Sequence, residues 1–200
     1  MSNPSPRWLS VIAVVALAAG AAGCGSSSPR AGGPSTSPPA NLATVPVTAP
    51  PAAATTGAGP TPATAIICGQ EAWSEISGAL GATPVEPLKP TWRDRLYTCA
   101  YRYGPHSAMT LSVKELMDPA AETAYFTARR HAAGPAATAL HGLGDDAFGL
   151  PDGSVYVRKD LTVLRVDVSG LPARFGAPPR TRRQVGLTVA TTVMLCWKEL

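Results

Sequence analysis

The first 64 residues of this 200-residue chain contain no acidic side chain, and their only charged side chains are Arg7 and Arg30. All 13 acidic residues lie at or after Glu71. A segment so poor in charge has no surface chemistry to wrap around a core, so the chain does not divide into two globular domains. A sustained heptad pattern is also missing, which excludes a coiled coil. The one long apolar run, Trp8 to Ala22, has 15 residues. That is short of the roughly 20 needed to cross a bilayer as a helix, so a multi-span membrane protein is excluded. Catalytic signatures are absent as well: no GxSxG, HExxH, CxxC or GxxxxGK[ST] occurs. The three histidines, His106, His131 and His141, have no second histidine at metal-ligand spacing, so they read as surface residues in a turn, at a helix end and in a loop. No cofactor is implied.

What the N-terminus does contain is a secretory signal. Arg7 and the amino terminus precede VIAVVALAAGAAG, which ends in small residues. Ala21-Ala22-Gly23-Cys24-Gly25 then resembles the bacterial lipobox, in which the cysteine thiol is diacylglycerylated and becomes the new N-terminus. Small residues are needed there because the peptidase must hold the backbone beside a bulky lipid. The departure is Ala21, where leucine is usual. The expectation is a signal peptide over 1–23 and a lipid anchor on Cys24, with two acyl chains making a stable attachment to the cell membrane.

Residues 25–64 hold nine Pro, nine Ala, seven Thr, five Ser and five Gly, without periodicity of 2 or 3.6. Such a segment cannot form a core and reads as a disordered tether over 24–64, including the lipidated cysteine. As a flexible coil its 40 residues average roughly 35 Å end to end, and fully extended they reach about 120 Å. Its composition also suits O-glycosylation.

From Ala65 to Leu200 the chemistry is that of an ordinary domain, large enough to bury roughly two-thirds of its unfolded surface. Trp73, Ile76 and Leu80 follow helical spacing, and Gly81 and Pro84 end that helix. Tyr97, Cys99, Tyr101 and Tyr103 alternate along a strand, with Gly104 to Ser107 as the turn and Met109, Leu111 and Val113 on the return. The tyrosines are candidates to line a ligand pocket, although a stripe at strand spacing is usually core. Asp118-Pro119 starts a helix that carries Ala121, Tyr125 and Ala128 inward and ends near Arg129, Arg130 and His131. Val155 to Val157 and Leu161 to Val168 form a second hairpin around Arg158 to Asp160, with Thr162, Leu164, Val166 and Val168 on one face. A last helix runs from about Thr181 to Trp197, with Val185, Val189, Thr192, Val193 and Cys196 on one stripe. The expected fold is α+β, an antiparallel sheet of two hairpins packed by three helices after a disordered N-terminal segment.

CGQEAWSEISGALG, TCAYRY, LHGLGDDAF and DGSVYVRKDLTVLRVDVSG, followed by the closing helix, resemble small actinobacterial envelope lipoproteins. Their shared domain has no assigned general function, and its layout is similar to domains described as PsbP-like. Thirteen arginines against four lysines fit the high-GC genomes of that group. With Cys24 assigned to lipid, Cys68, Cys99 and Cys196 allow three single bridges in an oxidising compartment. The resemblance implies Cys68–Cys99, because the group tends to have one cysteine before the first helix and one in the first strand. Cys196 then falls in the core.

Two clusters are candidate sites. His141, Asp145 and Asp146, near Asp152, offer an imidazole and carboxylates for cation binding or acid–base work. The alternative is a purely structural loop, with Gly142 and Gly144 in left-handed turns and the aspartates capping amides; the resemblance favours that reading. Arg180, Arg182 and Arg183 stand at the start of the last helix, where its dipole disfavours cations, and form a candidate anion site or a solvated face. Residues 65–200 carry 15 basic against 13 acidic side chains, so no nucleic-acid partner is implied. The expected function is a non-enzymatic, membrane-anchored extracytoplasmic lipoprotein that binds or senses an envelope protein or a small apolar ligand. The alternatives are an envelope hydrolase or transferase using His141, Asp145 and Asp146, or a structural accessory of a membrane complex. A ligand carrier predicts an apolar cavity between sheet and helix, and an enzyme predicts convergence of those three residues in a pocket.

Overall fold

The computed structural model describes residues 59–86 and 88–197. The expected signal peptide, Cys24 and nearly all of the expected tether lie outside the described residues. No helix among the described residues is long and apolar enough to cross a membrane.

Helix α1 (Pro62–Ala65) lies across the boundary expected at residue 65. Thr61 caps it by accepting from the Thr64 amide, and its own amide donates to Glu115 Oε1 at 2.8 Å. Thr64 is fully buried. The last residues assigned to the tether therefore belong to the domain. A 3-10 turn, Ile66–Cys68, leads into α2 (Gln70–Leu80), whose buried face is Ala72, Ile76 and Leu80. Gly81 ends α2 in the left-handed conformation (φ 60°), where a Cβ would strike the Ala177 carbonyl oxygen.

The sheet has seven antiparallel strands rather than two hairpins. β1 (Pro90–Arg93), β2 (Leu96–Gly104), β3 (Ser107–Glu115), β4 (Thr138–Leu140), β5 (Asp146–Gly149), β6 (Val155–Lys159) and β7 (Thr162–Asp167) lie in the order β1-β2-β3-β7-β6-β5-β4. Both expected hairpins are present, joined edge to edge by pairing of Leu111 with Val166 and Val113 with Leu164. The additional strands have four, three and four residues, too short to carry an alternating pattern. The second turn falls on Asp160-Leu161, so β7 starts at Thr162. A small ribbon of β8 (Arg174–Phe175) and β9 (Arg180–Thr181) precedes the last helix.

Four α-helices occur among the described residues, not three. α2 and α4 (Arg182–Trp197) cover one face of the sheet, the front; α3 (Pro119–Ala133) covers part of the other, the back. Asp118 caps α3 with a 2.8 Å bond from the Ala121 amide. The face α3 turns inward differs from the expected one. Glu122 and Phe126 are buried, Ala121 and Tyr125 are half-buried and Ala128 is exposed. The bulk of Phe126, packed edge-on against Phe148 at 5.2 Å between ring centres, sets that orientation.

The front core joins Ile76 and Leu80 of α2, Cys99 and Tyr101 of β2, Leu164 and Val166 of β7, and Val185, Val189 and Val193 of α4. Cys68 and Cys99 form the disulfide across this core, with Cα atoms 5.6 Å apart. Cys196 is buried on α4 and takes no part in that bridge. The Tyr101 hydroxyl donates to the Ile67 carbonyl at 2.6 Å. Burial, with the neighbouring phenols of Tyr103 and Tyr97, pushes its pKa well up.

Candidate functional site

A cavity of about 300 Å³ lies at one end of the front face, where β4, β5 and β6 meet the first turns of α4. That volume is at the lower limit for small-molecule sites. Leu140, Gly149, Leu150, Val155 and Leu187 give it a mostly apolar wall, and the exposed Arg183 also lines it. Two glycines bring the helix this close. A Cβ on Gly153 (φ 93°) would lie 2.5 Å from the Arg182 carbonyl carbon, and one on Gly186 would strike the Gly153 carbonyl oxygen. Gly149 differs, since a Cβ there would make ordinary contact with Leu140 at 3.7 Å. Its lack of a side chain leaves the cavity open.

The three arginines have separate settings. Arg182 Nε donates to the Leu171 carbonyl at 2.6 Å, tying α4 to the preceding loop. Arg180 sits in β9 opposite Phe175. Arg183 is exposed and lines the cavity. The helix start is closed by a capping box: the Thr181 amide donates to Gln184 Oε1 at 2.9 Å and the Gln184 amide to Thr181 Oγ1 at 3.3 Å. Satisfying those amides internally offsets the unfavourable position of the cations.

In the His141 loop the two glycines take the left-handed turns expected of them. Gly142 and Gly144 are left-handed (φ 76° and 62°), and a Cβ on Gly144 would lie 2.5 Å from Val157 Cγ1. Leu143 between them is buried. The Asp145 amide donates to the Arg158 carbonyl at 2.9 Å, and the Asp146 carboxylate faces Arg130 at 3.8 Å. His141 and Asp145 are exposed, and none of the three acid–base candidates lines the cavity. Asp152 is occupied in accepting from the Ser154 amide at 2.8 Å. Among the described residues no group of three or more His, Cys, Asp or Glu side chains is placed to hold a metal ion. His106 and His131 are exposed as expected. The tyrosine row is core: Tyr97 and Tyr101 are buried, and Tyr103 packs edge-on against Phe175 at 4.7 Å between ring centres.

Two carboxylates on the back face are perturbed in opposite directions. Burial raises the pKa of Glu122, opposed by the charge of Arg158. At Asp167 burial also acts upward, but bonds from Ser169, the charge of Arg165 and the Ser154 hydroxyl outweigh it and hold the carboxyl below its usual range. The Ser169 hydroxyl lies 2.6 Å away, as does Arg165 Nη2.

No family model, curated protein or solved structure matches this chain. Of the cavity residues, only Arg183 was singled out by sequence. The apolar wall comes from separate segments between residues 136 and 187; Val155 and Leu187 lie on a strand and a helix legible in the sequence, but no pattern marks them as neighbours.

Proposed function

We propose that the protein is a lipid-anchored extracytoplasmic binding protein whose domain holds a small amphiphile, with an apolar body and one acidic group, in the cavity beside α4. The role is carriage or sensing, without covalent chemistry. The observation that carries this reading is the pairing of an apolar hollow between sheet and helix with one basic residue, Arg183, in its lining. An apolar wall selects a hydrocarbon-like body, and a single guanidinium selects an anionic head. The lipobox-like sequence at Cys24 supports delivery to the outer side of the membrane.

The test is organic extraction of the full-length protein purified from its own membranes, together with titration by a fluorescent long-chain fatty acid. A saturable site is expected. Arg183→Ala weakens binding about tenfold, the value of one charge-assisted bond. Gly149→Val fills the hollow and abolishes binding without unfolding the domain. An empty extract together with no fatty-acid binding by the wild type overturns the reading.

A further inference from the structure

The end of the sheet opposite the cavity has three exposed apolar side chains, Leu96, Met117 and Leu161, which are 37%, 59% and 37% exposed. Strand register brings them to the same end. Leu96 opens β2 opposite Lys114, Glu115 of β3 pairs with Thr162, and the Leu116 amide donates to the Leu161 carbonyl at 2.8 Å. Two hairpin tips, Asp94-Arg95 and Asp160-Leu161, form this end.

All four tip residues are left-handed, with φ between 50° and 60°. Two-residue hairpin loops of this hand favour Asn or Asp followed by Gly. Each tip has the aspartate, but Arg95 and Leu161 stand where glycine relieves strain. Arg95 has a structural use, since its guanidinium faces buried Glu115 at 3.5 Å. Leu161 projects partly into solvent from a strained position, so folding alone does not account for it.

The polypeptide arrives at this same end. Thr61, bonded to Glu115 Oε1, is preceded by 60 residues that include Cys24. We infer that this end is a lipid-contacting pole: Leu96, Met117 and Leu161 dip into the membrane surface next to which the tether holds the domain. The inference rests on the lipid anchor proposed above. Tethering of this kind would keep the pole at an effective concentration on the order of millimolar, so a weak contact suffices. The surrounding charges nearly cancel, four cations against three carboxylates. Lys114 bonds to the Asp94 carbonyl, Lys159 pairs with Asp160, Arg95 with Glu115, and Arg93 approaches Asp94 at 4.0 Å. Contact is therefore driven by apolar insertion and does not require anionic lipid.

The full-length acylated protein, reconstituted in phosphatidylcholine vesicles, provides the test. An environment-sensitive dye is placed at Met117→Cys, with Val85→Cys as control. Val85 is 66% exposed, and its amide donates to the Arg102 carbonyl toward the opposite end of β2. The expected result is a blue shift at 117 with quenching by a lipid-borne quencher severalfold above that at 85, unchanged when phosphatidylglycerol is added. Leu161→Gly relieves the tip, so it melts no lower than the parent while moving the dye at 117 toward water. Equal quenching at both positions, with protein retained on the vesicles, overturns the pole alone. Shielding from an aqueous quencher without lipid quenching also overturns it, because a second copy then covers the patch. Loss of the protein from the vesicles overturns the anchor and the pole together.

Discussion

The two faces of the sheet are built differently from the same strands. On the front, Leu164 and Val166 of β7 meet aliphatic residues of α2 and α4, and the buried Tyr101 hydroxyl donates to the Ile67 carbonyl. On the back, Val163, Arg165 and Asp167 of the same strand meet aromatic and charged groups. Phe148 stacks on Tyr156 at 4.9 Å, Arg165 lies 5.7 Å from the Tyr156 ring centre, and Glu122 is buried on α3 within the field of Arg158. The front is covered by two helices and a disulfide, the back by one helix with an exposed outer surface. The difference assigns stability mainly to the front. It leaves the back as a thinner, polar layer that adjusts to substitution.

The largest effect should therefore come from the front. Replacing Cys68 and Cys99 together by alanine releases a loop with a sequence separation of 31 residues. On the chain-entropy model this destabilises the domain by about 4 kcal/mol. Denaturant melts of the double variant against the oxidised parent measure it, and a loss below about 1 kcal/mol would remove the disulfide from the account of the front.

A like-for-like pair then sharpens the contrast. Val166 (0% exposed) and Val163 (2% exposed) lie on one strand and point to opposite faces. Val166→Ala leaves a void between a rigid sheet and two fixed helices and should cost about 2 kcal/mol. Val163→Ala should cost about 1 kcal/mol, because α3 is free on its outer side to settle inward. Equal losses in paired denaturant melts would break the comparison.

What was legible in the sequence followed the same division. Tyr97 to Tyr103, Met109 to Val113 and Thr162 to Val168 announce themselves because one side of each strand meets an aliphatic core. Asp146-Ala147-Phe148-Gly149 does not, since Ala147 faces the front and Phe148 the back, and burial on both sides erases alternation. β1 fails for the opposite reason: as an edge strand it is largely exposed. The inward face of helix α3 lies one position out of phase with its sequence pattern because Ala121 and Ala128 carry little directional information, while its inward residue Glu122 carries a charge. The cavity was illegible because its wall is assembled from short pieces that only tertiary packing brings together. At the opposite end, the strain of Leu161 resides in φ, which residue identity alone does not reveal. The disulfide is a different case: the residues left three pairings open, and resemblance selected the one the fold contains.

The smallest predicted effect is the most specific to the back face. Glu122 is 6% exposed and its Oε1 has no hydrogen-bond partner among the described residues. Burial raises its pKa in the folded state, so folding favours the protonated form. Below the ordinary carboxylate range both folded and unfolded chains are protonated there, and stability is at its fullest. As pH rises, the unfolded chain ionises first, and this contribution is lost until the folded carboxyl also ionises. Glu122→Gln removes that loss and should raise stability at neutral pH, with no gain in acid. Asp167 has the reverse sign. Its depressed pKa contributes stability above the ordinary carboxylate range, and this is lost as pH falls through the folded value, so Asp167→Asn should flatten the acid limb instead. Denaturant melts of both variants across pH separate the two effects. If Glu122→Gln destabilises the domain at every pH, the carboxylate is a satisfied partner of Arg158, and the back face is as well packed as the front.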